Sequence, residues 1–163
     1  MKLELSDQRH LDAAEGWLEL GDVEEATEEL EQITPPMRAH PFVLRVRWGI
    51  YAKANKHEMA AEVARGMTVI LPENSWGYIH YAFSLHILKR TKEAWGVLVP
   101  VADKFQDYLI RYNLACYCCR LGNLKEAMQW LEQAIDLAGK KKIRMMALDD
   151  PDLEPLWCQI SEI

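Results

Sequence analysis

The sequence has no apolar run approaching the roughly 20 residues that a membrane-spanning helix needs. The longest candidate, residues 79–88, carries His80 and His86. The opening stretch, MKLELSDQRHLD, holds neither an apolar segment nor a small-residue cleavage site. No secretory leader is therefore expected, and the setting is read as cytoplasmic, with no membrane partner. Cysteine is scarce, four residues in 163, and in a reducing compartment all four are expected to be free thiols. The phosphate loops GxGxxG and GxxxxGK[ST], the zinc motif HExxH and the nucleophile elbow GxSxG are all missing, which leaves no recognisable catalytic frame. Low-complexity linkers are missing too. At 163 residues, half of them apolar, the chain suffices for one domain with a continuous core.

An overall basic excess is also missing. The net charge is −6, but it is uneven. Residues 1–31 carry eleven acids against Lys2 and Arg9, a balance of −9, and the remainder carries +3. That balance argues against nucleic acid as the main ligand. The acidic run Asp22–Glu31 reads first as the solvated face of an outer helix. Its alternatives are an acidic docking face for a basic partner, or head-to-tail pairing with Lys140–Lys142 and Arg144.

What is present is a repeat. In residues 112–137, two amphipathic helical patterns flank Leu121-Gly122-Asn123. Leu114, Ala115 and Cys118 share one helix face, and Ala127, Leu131, Ala134 and Ile135 another. Two such helices cannot bury both faces alone. Counting back by 33 or 34 residues, Ala127 is matched by Ala94, Ala60 and Ala26, and Leu131 by Leu98, Ala64 and Leu30. In the first helix Ala115 is matched by Ala82, Trp48 and Ala14. The inter-helix break reads Gly122, Lys89, Asn55 and Gly21, a position that favours positive φ and hence glycine.

Helices are expected at 7–20, 23–33, 41–54, 57–70, 74–88, 91–103, 108–121 and 124–137. Ser6 or Asp7 is expected to cap the first, Thr34-Pro35-Pro36 to end the second, and Pro100 to kink or shorten the sixth. After Gly139 the register changes. Residues 140–148 place Ile143, Met146 and Ala147 on one face and bases on the other, and Asp149-Asp150-Pro151 starts a short final helix through Trp157.

The period and the four alanines resemble the tetratricopeptide repeat, whose pattern runs W-x2-L-G-x2-Y…A-x3-F…P. The resemblance covers residues 7–141 as units 7–40, 41–74, 75–107 and 108–141, with 142–163 as a closing segment in one domain spanning 1–163. It implies an all-α, right-handed superhelical solenoid of four helix–turn–helix repeats, capped at its C-terminal end. It also implies a non-catalytic protein–protein interaction module, needing no cofactor, whose first helices line a concave groove. Carried onto this sequence, the groove residues are Leu11, Leu18, Arg45, Lys53, Trp76, Ile79, Phe83, Leu109, Tyr112, Cys116 and Arg120. The Lys and Asn that clamp a partner's terminal carboxylate in well-known members are replaced by Leu11, Glu15, Gly49, Ile79 and Phe83. An apolar segment of a protein partner is thus the expected ligand, as in chaperones of secreted proteins. A homodimer or the C-terminal segment could cover the same residues. Trp17, Trp48, Tyr51 and Tyr81 are expected to pack.

Two other constellations were weighed. His80 and His86, about 240° apart around a helix, do not share a metal. Cys116-Tyr117-Cys118-Cys119 reads as small apolar packing, with a thiol-based redox protein as the alternative and metal binding last.

Overall fold

The structure is a computed structural model that describes residues 2–162, all helical or irregular, with no strand among them. Four helix pairs follow in order: α1 (Leu5–Leu20) with α2 (Val23–Gln32), α3 (Pro41–Lys53) with α4 (His57–Ile70), α5 (Ser75–Ile87) with α6 (Thr91–Leu98), and α7 (Tyr108–Arg120) with α8 (Leu124–Ala138). The closing segment comprises α9 (Lys140–Leu148), a 3-10 turn at Pro151–Leu156 and α10 (Trp157–Glu162). Two compact units divide the chain within α5, Met1–Ser84 and Leu85–Ile163.

The repeat is carried by one turn made four times. Gly21, Asn55, Lys89 and Gly122 have φ of 92°, 56°, 64° and 85°. At each, the left-handed residue donates its N–H three residues back, to Leu18, Ala52, His86 or Cys119. The next residue donates five back, to Trp17, Tyr51, Leu85 or Cys118. This pair of bonds closes the C-terminal carbonyls of the first helix. The second helix then opens with Ala26, Ala60, Ala94 and Ala127, each donating to the residue after the turn. All four alanines are fully buried, since a larger side chain has no room where the pair crosses.

Only two of the four turns have glycine. A left-handed L-residue costs roughly 1–2 kcal/mol, and asparagine tolerates it better than lysine does. Lys89→Gly is therefore expected to stabilise unit Leu85–Ile163 by about 0.5–1 kcal/mol, net of the glycine's larger unfolded-state entropy. A urea melt checks this, and no gain would mean that Lys89 is not strained.

Helix ends follow local chemistry. Asp22, Asp107 and Asp150 accept N-cap bonds from Glu25, Leu109 and Asp152, and Pro41 occupies the first turn of α3. Pro100 ends α6 at Leu98 and leaves a 3-10 turn at Val99–Val101. The first helix departs from expectation. It starts at Leu5 behind Glu4, without a side-chain cap. Asp7 is buried instead, accepting from the Thr34 backbone N–H at 2.9 Å and the Thr34 hydroxyl at 2.8 Å. Those bonds hold its carboxyl below the usual range and tie the end of α2 to the start of α1.

In the first unit Leu11, Ala14, Ala26, Leu30, Ile33, Val43, Val46 and Ile50 form a contiguous core. Trp17, expected to pack, is 37% exposed. In the second unit α7 is buried from Ile110 to Cys119 at every residue but the half-buried Asn113. An amphipathic helix covered on one side cannot achieve that, so something also covers its other face.

Candidate functional site

Within Met1–Ser84, α3 and α5 bring together the aromatic residues that the repeat core does not use. Trp76, His80 and Phe83 stand at i, i+4 and i+7 on α5, hence on one face. The Trp76 and His80 rings stack at 4.0 Å and 17°, and Trp48 meets His80 edge-on at 4.3 Å and 90°. The Trp48 indole N–H donates to the Ser84 hydroxyl at 3.1 Å, and that hydroxyl donates to the His80 carbonyl at 2.8 Å. Trp48 thus fills a position that Ala occupies in the other three repeats, with the polar atom of its side chain satisfied.

His80 Nδ1 lies 2.9 Å from the Trp76 carbonyl, which places the proton on Nδ1 as donor. Burial lowers the His80 pKa; the Trp76 bond opposes this and the positive Arg45 adds to it. The ring is therefore neutral at pH 7.

Arg45 completes the cluster. Its guanidinium lies over the Trp76 ring at 5.4 Å, and its buried Nε makes no hydrogen bond. It has no acidic partner among the described residues, in contrast to Arg47 on the same helix, which pairs with Glu31 at 3.0 Å. A half-buried cation against an indole keeps cation–π attraction but forgoes the carboxylate that would satisfy its donors. Phe83, 40% exposed, and Phe42, 54% exposed, are the accessible aromatic side chains of these helices among the exposed large hydrophobics. An arginine fork over an indole, with an exposed phenylalanine in the same aromatic cluster, has the chemistry to hold an acidic side chain flanked by an apolar one.

The other expected groove residues of this unit lie elsewhere. Leu11 and Ile79 are buried, Leu11 inside the core cluster, because their helix positions face the neighbouring helices. Leu18 is half-buried against Gly49, where a methyl group would stand 2.8 Å from Leu18 Cδ2. Lys53 donates to the Leu18 carbonyl at 2.9 Å, so it serves the C-terminus of α1 rather than a ligand.

Within Leu85–Ile163 the chain's own closing segment lies on α7. The Tyr112 hydroxyl donates to Asp150 Oδ2 at 2.9 Å, and Cys116 Sγ reaches the same oxygen at 3.5 Å. Asp152 meets His86 Nε2 at 2.7 Å and Arg120 Nε at 3.4 Å. Leu153, Leu156 and Ile160 are fully buried beneath these polar contacts. Tyr112 and Cys116 are thereby buried, Leu109 is half-buried, and the exposed Arg120 is ion-paired. Tyr112, Cys116 and Arg120 each meet Asp150 or Asp152 of the closing segment. Asp150 and Asp152 were not among the expected site residues. The signal for them was the Asp-Asp-Pro-Asp run, legible as a helix start but not as an acidic ligand for α7.

The thiols are ill suited to nucleophilic chemistry. Burial, then the nearby Asp150, pushes Cys116 well up; burial pushes Cys118 up to about 11 and raises Cys119 as well. At neutral pH they are protonated, whereas a reactive cysteine needs a lowered pKa. Cys158 is exposed. No group of three or more metal-ligating side chains stands together among the described residues, and no helix there is long and apolar enough to cross a membrane.

No protein-family model and no curated protein sequence matches the chain. Solved structures do. The crystal structure of TTC0263, described as a thermophilic TPR protein of Thermus thermophilus, superposes with a TM-score of 0.71 at 18% identity, covering 98% of this chain and 83% of that one. MamA of AMB-1 gives 0.65 at 16% identity over 98% and 96%, and MamA of MSR-1 gives 0.65 at 18% over 98% and 97%. With a 33- or 34-residue period, four identical turns and these likenesses over nearly its whole length, the chain has the tetratricopeptide repeat fold.

Proposed function

We propose that the protein is a non-catalytic interaction module that holds an extended segment of a partner protein on the α3/α5 face of its first unit. The observation that carries this reading is Arg45, a half-buried guanidinium without an acidic partner among the described residues, set over Trp76 in the cluster that Trp48 links to the exposed Phe83. The segment it suits has an acidic side chain for Arg45 and an apolar one for Phe83. The second unit supports this chemistry by example, since α7 holds Asp150 and Asp152 by polar groups while Leu153 is buried below. The raised thiol pKa values weigh against the redox alternative.

Arg45→Glu and Phe83→Glu test the reading. Both are expected to stay folded by circular dichroism and each to weaken capture of the partner from host lysate at least tenfold, the equivalent of about 1.4 kcal/mol. Capture equal to wild type by both folded variants would reject the site.

A further inference from the structure

We propose that copies of this chain associate head to tail, the basic face of α9 in one docking on the acidic face of α2 in the next. Each face keeps like charges that the chain leaves without an opposite partner among the described residues. On α2, Glu29 is paired with His10 and Glu31 with Arg38 and Arg47, but Glu24 and Glu28 have no basic partner among the described residues. On α9, Lys140, Lys141 and Arg144 are exposed and have no acidic partner among the described residues.

Both faces carry unrelieved like-charge repulsion. Glu24 and Glu28, like Lys140 and Arg144, are like-charged pairs four residues apart, which repel on a helix surface. Lys140 and Lys141 also stand at the N-terminus of α9, the end where the helix dipole disfavours cations. On α2, Glu24 stands in the first turn, where the dipole favours it, so the unrelieved cost there is its repulsion with Glu28. Opposite in sign, the two faces relieve the like-charge repulsion of both helices by meeting.

Apolar surface lies within each charged face. Met145, 62% exposed, and Leu148 share a shallow groove of about 450 Å³ with the three bases of α9. On the acidic side, Val23 and Thr27 of α2 lie among Glu24, Glu28 and Glu31 in a groove of about 570 Å³ that Lys56 also lines. Apolar centres inside complementary charged rims are the pattern of specific protein interfaces. Because the two surfaces differ, the contact is heterologous, and each added copy leaves one face of each kind free. Association therefore continues beyond a dimer unless a ring closes.

The test is molar mass by light scattering and sedimentation over rising protein concentration. It is run in about 0.01 M salt, where charges act over ~30 Å, and in about 1 M salt, where they act over ~3 Å. Wild type is expected to exceed monomer mass in low salt and return to it in high salt. Lys140→Glu/Arg144→Glu and Glu24→Lys/Glu28→Lys should each stay monomeric and helical in low salt. Mixed in equal amounts they should co-assemble through the one wild-type face that each retains. Wild type that stays monomeric throughout, or association that neither variant reduces, would overturn the proposal. So would recovery of wild type on anionic phosphatidylserine vesicles without self-association, which would assign the basic face to lipid. These outcomes are independent of partner capture at Arg45 and Phe83.

Discussion

Leu153→Ala is expected to cost about 2–5 kcal/mol, because the side chain is fully buried. Against a total of about 5–15 kcal/mol for a domain, that is a large share. The loss falls on the turn that carries both Asp150 and Asp152 against α7, so the closing segment should detach before the repeat itself melts. Thiol titration reads this directly. In wild type Cys158 should react fast and the three buried cysteines slowly, through burial and through raised pKa alike. In the variant Cys116 and Cys119 should become fast, while Cys118, fully buried on the opposite side of α7, stays slow. Unchanged thiol kinetics in a destabilised variant would mean that residues 150–156 do not shield α7.

Gly77→Ala is the second large effect, expected to destabilise the first unit by about 3 kcal/mol. A methyl group there would stand 2.9 Å from the Thr68 backbone nitrogen and 3.0 Å from the Met67 carbonyl carbon. Backbone within a helix cannot yield without breaking α4 or displacing α5. Gly49 makes the contrast. Its added methyl would be closer still to a neighbour, 2.8 Å, but that neighbour is the end of the Leu18 side chain, which can rotate. Gly49→Ala should therefore cost under about 1.5 kcal/mol. Denaturant melts of the pair decide whether close helix approach or glycine content matters, and equal losses would contradict the distinction.

The repeat was legible because its determinants are local. A positive-φ turn and a small residue five positions later are written at fixed spacing, so all four breaks and all four alanines are readable even where lysine replaces glycine. Helix limits followed from proline and cap residues to within a few positions. The capping of α1 was not legible. Asp7 bonds to Thr34, 27 residues away, and no local pattern distinguishes that from an ordinary cap. The candidate site was legible only in part. Facing could be assigned from the period, which placed Trp76 and Phe83 together with Arg45. Coverage could not, since it depends on what packs across a face. That is why Leu11 and Ile79 are core residues, why Lys53 is spent on a helix end, and why Tyr112 and Cys116 lie under Asp150. Trp48 was the least legible of all. An indole replaces alanine there because Ser84 and His80 receive it.

The central claim is that a partner segment lies on the α3/α5 face, while α7 is engaged by the chain's own closing segment. Site-specific photo-cross-linking in host cells tests it most directly, with a benzophenone amino acid placed in turn at Phe83, at Arg120 and at the exposed Glu62 of α4. Adducts of one discrete mass from position 83, with none from 120 or 62, are the predicted result. Adducts from position 120 but not from 83 would contradict the account.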